Sequence, residues 1–313
     1  MSPSLRFPEF TGEWKEERLS EIADIYKGAG ISKDQLSDNG EPCILYGELY
    51  TKYKTETITE VISRTDIDNT KLVRSKANDV IIPCSGETAE DIATARCVIK
   101  DGILLGGDLN IIRLHNYDGS FVGYQLNGKR KYDIAKVAQG VSVVHLYGEH
   151  LKGVKTVNPC LAEQKKISRF LSLLDERIAV QNRLIDRLQS LMIGIRHRII
   201  NEAKGKIVCL CEVSDIYQPQ TISSADLTET GYPVYGANGI IGHYTSYNHE
   251  AEQVCITCRG NTCGGVNYTK SKSWITGNAM VVNVDRYQNI VSKRYLYHYS
   301  SFASDLGRRP GEV

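Results

Sequence analysis

Leu19-Ser20-Glu21-Ile22-Ala23-Asp24-Ile25-Tyr26 and Leu210-Cys211-Glu212-Val213-Ser214-Asp215-Ile216-Tyr217 are two versions of one octapeptide, 191 positions apart. Read outward at that offset, Ile31-Ser32 meets Ile222-Ser223, Leu36 meets Leu227, and Gly40-Glu41-Pro42 meets Gly231-Tyr232-Pro233. The offset then drops to 174, pairing Val80-Ile81-Ile82-Pro83-Cys84-Ser85-Gly86 with Val254-Cys255-Ile256-Thr257-Cys258-Arg259-Gly260. At 170 it pairs Gly107-Asp108-Leu109-Asn110-Ile111-Ile112 with Gly277-Asn278-Ala279-Met280-Val281-Val282. Collinear blocks of this kind mark an internal duplication. The fold expected is α+β: two similar modules, the second with shorter inserts. Short β-branched runs (Val80 to Ile82, Leu109 to Leu114, Val141 to Val144) between Gly, Pro and Asn turns read as strands. Helical stretches are expected near Leu19 to Ile25 and Ser120 to Gln139. Thr51 to Thr70 and Ser85 to Ile103 read as long polar loops, a length that usually goes with binding.

Between the copies lies Leu161 to Ala203, free of proline, with Gly194 as its one glycine. Apolar residues recur at Ile167, Phe170, Leu174, Ile178, Ile185, Leu188, Met192, Ile195 and Ile199, and Gln181 completes steps of three and four. That is a heptad-like seam on one long helix. Leu171, Leu184 and Leu191 widen the stripe. Pro159 and Gly205 punctuate the ends. A helix of this length spans about 60 Å, too long for one small module to bury, so its apolar face expects a partner, read as the other half of an antiparallel coiled coil. The chain then divides into 1–159, a first module; 160–204, a helical spacer; and 205–313, a second module.

Length and composition agree. The 313 residues exceed one ordinary core. With 41% apolar and 24% charged residues the profile is globular. No apolar run reaches the roughly 18 residues of a membrane span, and Met1 to Trp14 lacks the apolar core of a signal peptide, so a cytoplasmic chain is expected. Lys and Arg number 38 against 37 Asp and Glu. Near-neutrality argues against a general polyanion binder but permits local basic patches. Nine cysteines, an odd count, point to reduced thiols.

Catalytic signatures are missing. There is no GxxxxGK[ST] phosphate loop, no dinucleotide turn and no GxSxG elbow. The one Asn-Pro, Asn158-Pro159-Cys160, lacks the second proline and aromatic of an amino-methyltransferase site. Cys255, Cys258 and Cys263, with His243 or His249, have spacing that zinc accepts. Yet Cys258 aligns with Cys84, which has no partner cysteines, and Cys255 lies in an apolar run, so buried thiols are the favoured reading. No metal and no cofactor are expected.

The order of motifs resembles the specificity subunits of type I restriction–modification enzymes. Leu5-Arg6-Phe7-Pro8-Glu9-Phe10 followed by Trp14 resembles their opening. Gly140-Val141-Ser142, His145-Leu146, Leu151-Lys152 and Pro159, leading into Glu163-Gln164-Lys165-Lys166-Ile167, resembles the close of their first module. The resemblance implies a non-catalytic subunit with two target-recognition domains, each reading half of a split double-stranded DNA sequence at a spacing set by helices. It also implies docked methyltransferase subunits, and restriction subunits joining that core. One departure is the end: carrying the last offset forward, Val313 falls inside the second module, so its final strands and second helix are expected to be missing. Dimerisation through the single helix would then restore symmetry.

For DNA, the basic candidates are Lys71, Arg74, Lys76, Arg96, Lys129, Arg130, Lys131, Lys270 and Lys272, which would hold phosphates and fix position. Candidate base readers are Ser85, Thr88, Gln139 and Ser142 in the first copy and Arg259 and Asn261 in the second. Tyr46, Tyr235 and Tyr244 are candidates to line the groove. Two other classes stay open: an atypical nuclease or methyltransferase chain carrying the same modules, and a protein-interaction scaffold.

Overall fold

The structure, a computed structural model, describes Pro3, residues 5–68, 71–140 and 143–307. It divides into two compact units, 1–182 and 183–313.

In the first unit a five-stranded sheet runs in the order Ala23–Lys27, Leu109–Leu114, Asp79–Pro83, Arg96–Val98, Thr57–Ile58. Neighbours are antiparallel except for the last pair. The central strand is buried along its whole length, so its alternating side chains serve two cores. Val80 and Ile82 join Leu19, Ile22, Ile112 and Phe121 on one face. Ile81 joins Ile44, Leu49, Leu105 and Ile111 on the other. A second sheet orders Ser63–Thr65, Glu41–Ile44, Leu104–Leu105 and Val73–Arg74.

The second unit repeats this plan. Its larger sheet orders Asp215–Tyr217, Ala279–Asn283, Val254–Thr257 and Val266–Tyr268, and its smaller one Gly239–Tyr244, Tyr232–Gly236 and Trp274–Ile275. Each pairing has its counterpart in the first unit, and the pairs formed by the matched sequence blocks keep the offsets read from the sequence. Ile111 opposes Ile81 as Val281 opposes Cys255. Leu105 pairs in parallel with Ile44 as Ile275 pairs with Tyr235. The one-turn helices Leu19–Ile22 and Leu210–Val213 start alike: Glu21 and Glu212 each accept the backbone N–H three residues earlier at 2.7 Å.

Several local expectations change. Leu19 to Ile25 is one helical turn running into the strand Ala23–Lys27, because Ala23 is already extended at the cap. Ser120 to Gln139 is two helices, Gly119–Asn127 and Lys131–Val137, parted at Gly128. The polar loops contain strands of two or three residues, such as Thr57–Ile58 and Ser63–Thr65, too short to show alternation. The last run forms Val144–His145, with Val141 and Ser142 outside the described residues.

The long helix is Leu161–Glu202. Its first turns are clamped to the amino-terminal segment. Arg6 donates both Nε and Nη2 to the fully buried Glu163 carboxylate, at 2.7 and 2.6 Å, and Trp14 Nε1 adds a third bond at 3.3 Å. Lys166 pairs with Glu9 and lies over the Phe7 ring at 4.6 Å. Tyr124 donates to Asp175 at 2.5 Å. These contacts explain the pattern Leu5 to Trp14 followed by Glu163 to Ile167: the two stretches are one interlock.

Candidate nucleic-acid interface

In each unit two loops meet at corresponding sheet ends. In the first, the segment after Glu41–Ile44 folds into the helical turn Glu48–Thr51 and meets the turn after Asp79–Pro83, where half-buried Tyr50 donates its hydroxyl to Ser85 O at 3.2 Å. Burial raises the Tyr50 pKa and keeps that donor protonated. Between them opens a cleft of about 560 Å³ lined by Tyr46, Tyr50, Ser85, Glu87, Asp91 and Val143, among others. In the second unit the hairpin turn after Tyr232–Gly236 meets the turn after Val254–Thr257. Thr262 Oγ1 donates to Asn238 Oδ1 at 2.7 Å, and Thr257 Oγ1 to Ala237 O at 2.6 Å. The two turns are anchored alike: Cys84 N donates to Asp108 O at 2.7 Å and Cys258 N to Asn278 O at 3.2 Å. Exposed loops on a rigid sheet frame are where recognition residues are usually carried.

The predicted residues divide by what they touch. Arg259 and Asn261 stand exposed on the second unit's turn. Ser85 lines the first unit's cleft and lies 3.2 Å from His145 Nδ1. Gln139 is exposed beside it, bridged through its backbone to His145. Thr88 is exposed, but its hydroxyl caps the helix Ala89–Ile92, accepting from Asp91 N at 3.1 Å and donating to Asp91 Oδ2 at 2.6 Å. Ser142 lies outside the described residues.

Among the cations, Lys71, Lys76 and Lys129 are exposed and Lys131 is half-buried. Lys270 is exposed, its backbone N–H bound to the Tyr235 hydroxyl. Lys272 sits 4.0 Å from Glu250. Three arginines are committed within their unit. Arg74 is bidentate on Glu41 at 2.5 and 3.0 Å. Arg96 donates to the carbonyls of Ala95 and Tyr53, and burial lowers its pKa. Arg130 pairs with Asp133 at 3.3 Å. Lys129 and Arg130 border a groove beside Ile167 and Leu171 of the long helix, away from the tip loops. Tyr46 lines the cleft, Tyr244 packs edge-on against Trp274, and Tyr235 is buried at 6% exposure, so its ring supports the core instead of lining a groove.

Tyr50, Glu87, Asp91, Asn238 and Thr262 were missed. For Glu87 and Thr262 a signal was available: at the offset of 174, Glu87 and Thr88 fall on Asn261 and Thr262, one and two steps beyond the matched block; nothing in the sequence marked Tyr50, Asp91 or Asn238.

Cys255 is buried in its strand and its thiol is pushed up to about 12. Cys258 donates to Asn278 O at 3.2 Å, and Cys263 is exposed. Among the described residues no group of three His, Cys, Asp or Glu is placed to hold a metal ion, and no helix is long and apolar enough to cross a membrane.

On the long helix, Ile167 packs against the first unit's core, and Phe170 meets Phe7 edge-on. From Leu174 the stripe is open: Leu174, Ile178, Ile185, Leu188, Met192, Ile195 and Ile199 are 42 to 61% exposed.

The family described as the type I restriction modification DNA specificity domain matches residues 11–190 and 203–307. The type I restriction enzyme EcoprrI specificity subunit of Escherichia coli is 28% identical over 124 residues, covering 36% of this chain and 31% of that protein. The S subunit of a type I restriction–modification system from M. genitalium has a similar fold at 18% identity, with a TM-score of 0.70 over 97% of this chain and 80% of that one. A chain from a structure on complex assembly and conformational transition of the type I R-M system matches at 15% identity and a TM-score of 0.51, over 98% and 83%.

Proposed function

Because this chain belongs to the type I restriction modification DNA specificity family, we propose that it is the sequence-reading, non-catalytic subunit of a type I restriction–modification complex. Each unit reads one half of a two-part double-stranded DNA target through its paired tip loops. Adenine methylation belongs to docked methyltransferase subunits and cleavage to restriction subunits, and the complex works in the cytoplasm. Residues 160–204 serve as the helical spacer between modules 1–159 and 205–313. The observation that carries this reading is the repeated frame: one chain holds two loop clusters on equivalent strands, anchored by equivalent hydrogen bonds. A duplicated reader suits a target with two parts, as dimeric readers suit two half-sites.

The apolar stripe from Leu174 to Ile199 is the docking face, and a second copy of the chain covers it when no other helix does. A face of this kind exposed along several turns is costly in water.

The test mixes the chain with a type I methyltransferase subunit on random-sequence DNA and maps the methylated adenines. Two-part motifs arising only in the mixture support the proposal. Methylation or cleavage by the chain alone would establish the enzyme alternative. Assembly with no effect on where DNA is modified would establish a scaffold.

A further inference from the structure

The turn after the central strand reads Ser85-Gly86-Glu87-Thr88 in the first unit and Arg259-Gly260-Asn261-Thr262 in the second. The strands entering these turns have the same register, and the same backbone bond closes each. The turns therefore leave the frame at the same point and differ in charge and in path: Ser85–Gly86 pairs with Val144–His145, whereas Gly260 has a φ of +80°.

In the first unit the cleft beside this turn is lined by two carboxylates, Glu87 and Asp91, and by no lysine or arginine. One Asp91 oxygen is already taken by the Thr88 hydroxyl. Glu87 is exposed, and no hydrogen bond occupies its side chain among the described residues. A cleft walled this way repels phosphate and accepts a hydrogen-bond donor. In the second unit Arg259 is exposed without a carboxylate partner among the described residues, beside the amide of Asn261.

Base edges in the major groove come in both polarities. Cytosine offers the N4 amino donor, which carboxylates accept. Guanine offers the O6 and N7 acceptors, which arginine binds with two N–H groups. Adenine sets its N7 acceptor beside its amino donor, an arrangement that suits an amide better than a carboxylate.

We propose that the two units read opposite hydrogen-bond polarities through this one matched turn: Glu87 accepts from the N4 amino group of a cytosine in one half-site, and Arg259 donates to O6 and N7 of a guanine in the other. The inference rests on the reading that both units bind DNA, and adds which residue reads which base edge.

The experiment selects from a random duplex library with the full chain, wild type against Glu87→Gln and Arg259→Gln. Thermal melts check that each variant is folded. Wild type is expected to enrich a two-part motif. Glu87→Gln exchanges a pure acceptor for an amide, so one cytosine in one half changes to adenine by at least tenfold in preference, with the other half unaltered. Arg259→Gln changes one guanine in the opposite half by a similar factor. If Glu87→Gln tightens binding to all sequences with an unaltered motif, the carboxylate only repels phosphate and the proposal falls while the two-unit reading stands. If the variants alter the same half, the polarity assignment is overturned. If wild type enriches no two-part motif, the reading beneath fails, and the inference with it.

Discussion

Gly40 and Gly231 sit 191 residues apart, and both have positive φ, +96° and +129°. A Cβ at Gly40 would lie 2.2 Å from Thr65 O, and one at Gly231 would lie 2.4 Å from Tyr244 O. Both carbonyls belong to the neighbouring strand, so neither contact is relieved by a rotamer change. Gly40→Ala or Gly231→Ala should cost about 2 kcal/mol or more, read as a lower urea midpoint; an unchanged midpoint would mean the turn opens freely. His249 gives a second residue-level expectation. It is buried, accepts the Tyr217 hydroxyl at Nε2 at 2.9 Å, and holds Asn248 Oδ1 at 2.6 Å from Nδ1. Burial lowers its pKa below the ordinary 6.5. The unfolded chain then takes up a proton that the folded one refuses, so stability is full above about pH 6.5 and declines as the pH falls from there toward the folded value. Unfolding between pH 7.5 and 5.5 should show that decline, to which His298, also lowered by burial, adds; His249→Gln should make it shallower, and equal slopes would remove His249 as a cause. Little of this was legible in the sequence. Glu163 stands in a motif, but that Arg6 and Trp14 close on it follows only from the folded chain. Arg74 and Arg96 looked like phosphate ligands because a sequence does not reveal that Glu41 and two carbonyls hold them.

Elements were legible in proportion to their length. The helix Leu161–Glu202 repeats its apolar period often enough to stand out. Strands such as Thr57–Ile58 carry no period of their own and exist because Arg96–Val98 offers a free edge. The helix also shows where burial stops: Glu163, Gln164 and Ser168 are buried, whereas Leu188 is 54% exposed. An apolar stripe that the chain does not cover should be covered by association. Wild type is expected to sediment as a dimer at micromolar concentration and Leu188→Asp as a monomer. Equal masses for the two would exclude this stripe as the contact.

For the whole molecule, charge sets the expectation. With 38 basic against 37 acidic groups the chain carries no general excess of cations, and among the candidate cations Arg74, Arg130 and Lys272 are engaged with carboxylates and Arg96 with carbonyls. Lys71, Lys76, Lys129, Lys131, Arg259 and Lys270 have no acidic partner among the described residues. If all reached DNA, the slope of log K against log salt would be no steeper than about −5. Titrations between 50 and 200 mM salt check this, and a much steeper slope would require basic groups elsewhere. The duplicated plan was the most legible feature of all, since offsets of 191, 174 and 170 in the sequence are the offsets of paired strands in the sheets. Chain was gained or lost only between those fixed points. A scaffold that holds its ladders constant while its inserts vary in length works like a typewriter with interchangeable type. Grafting one tip onto the other's stem, or trading tips with a cousin, should rewrite the address and leave the machine intact.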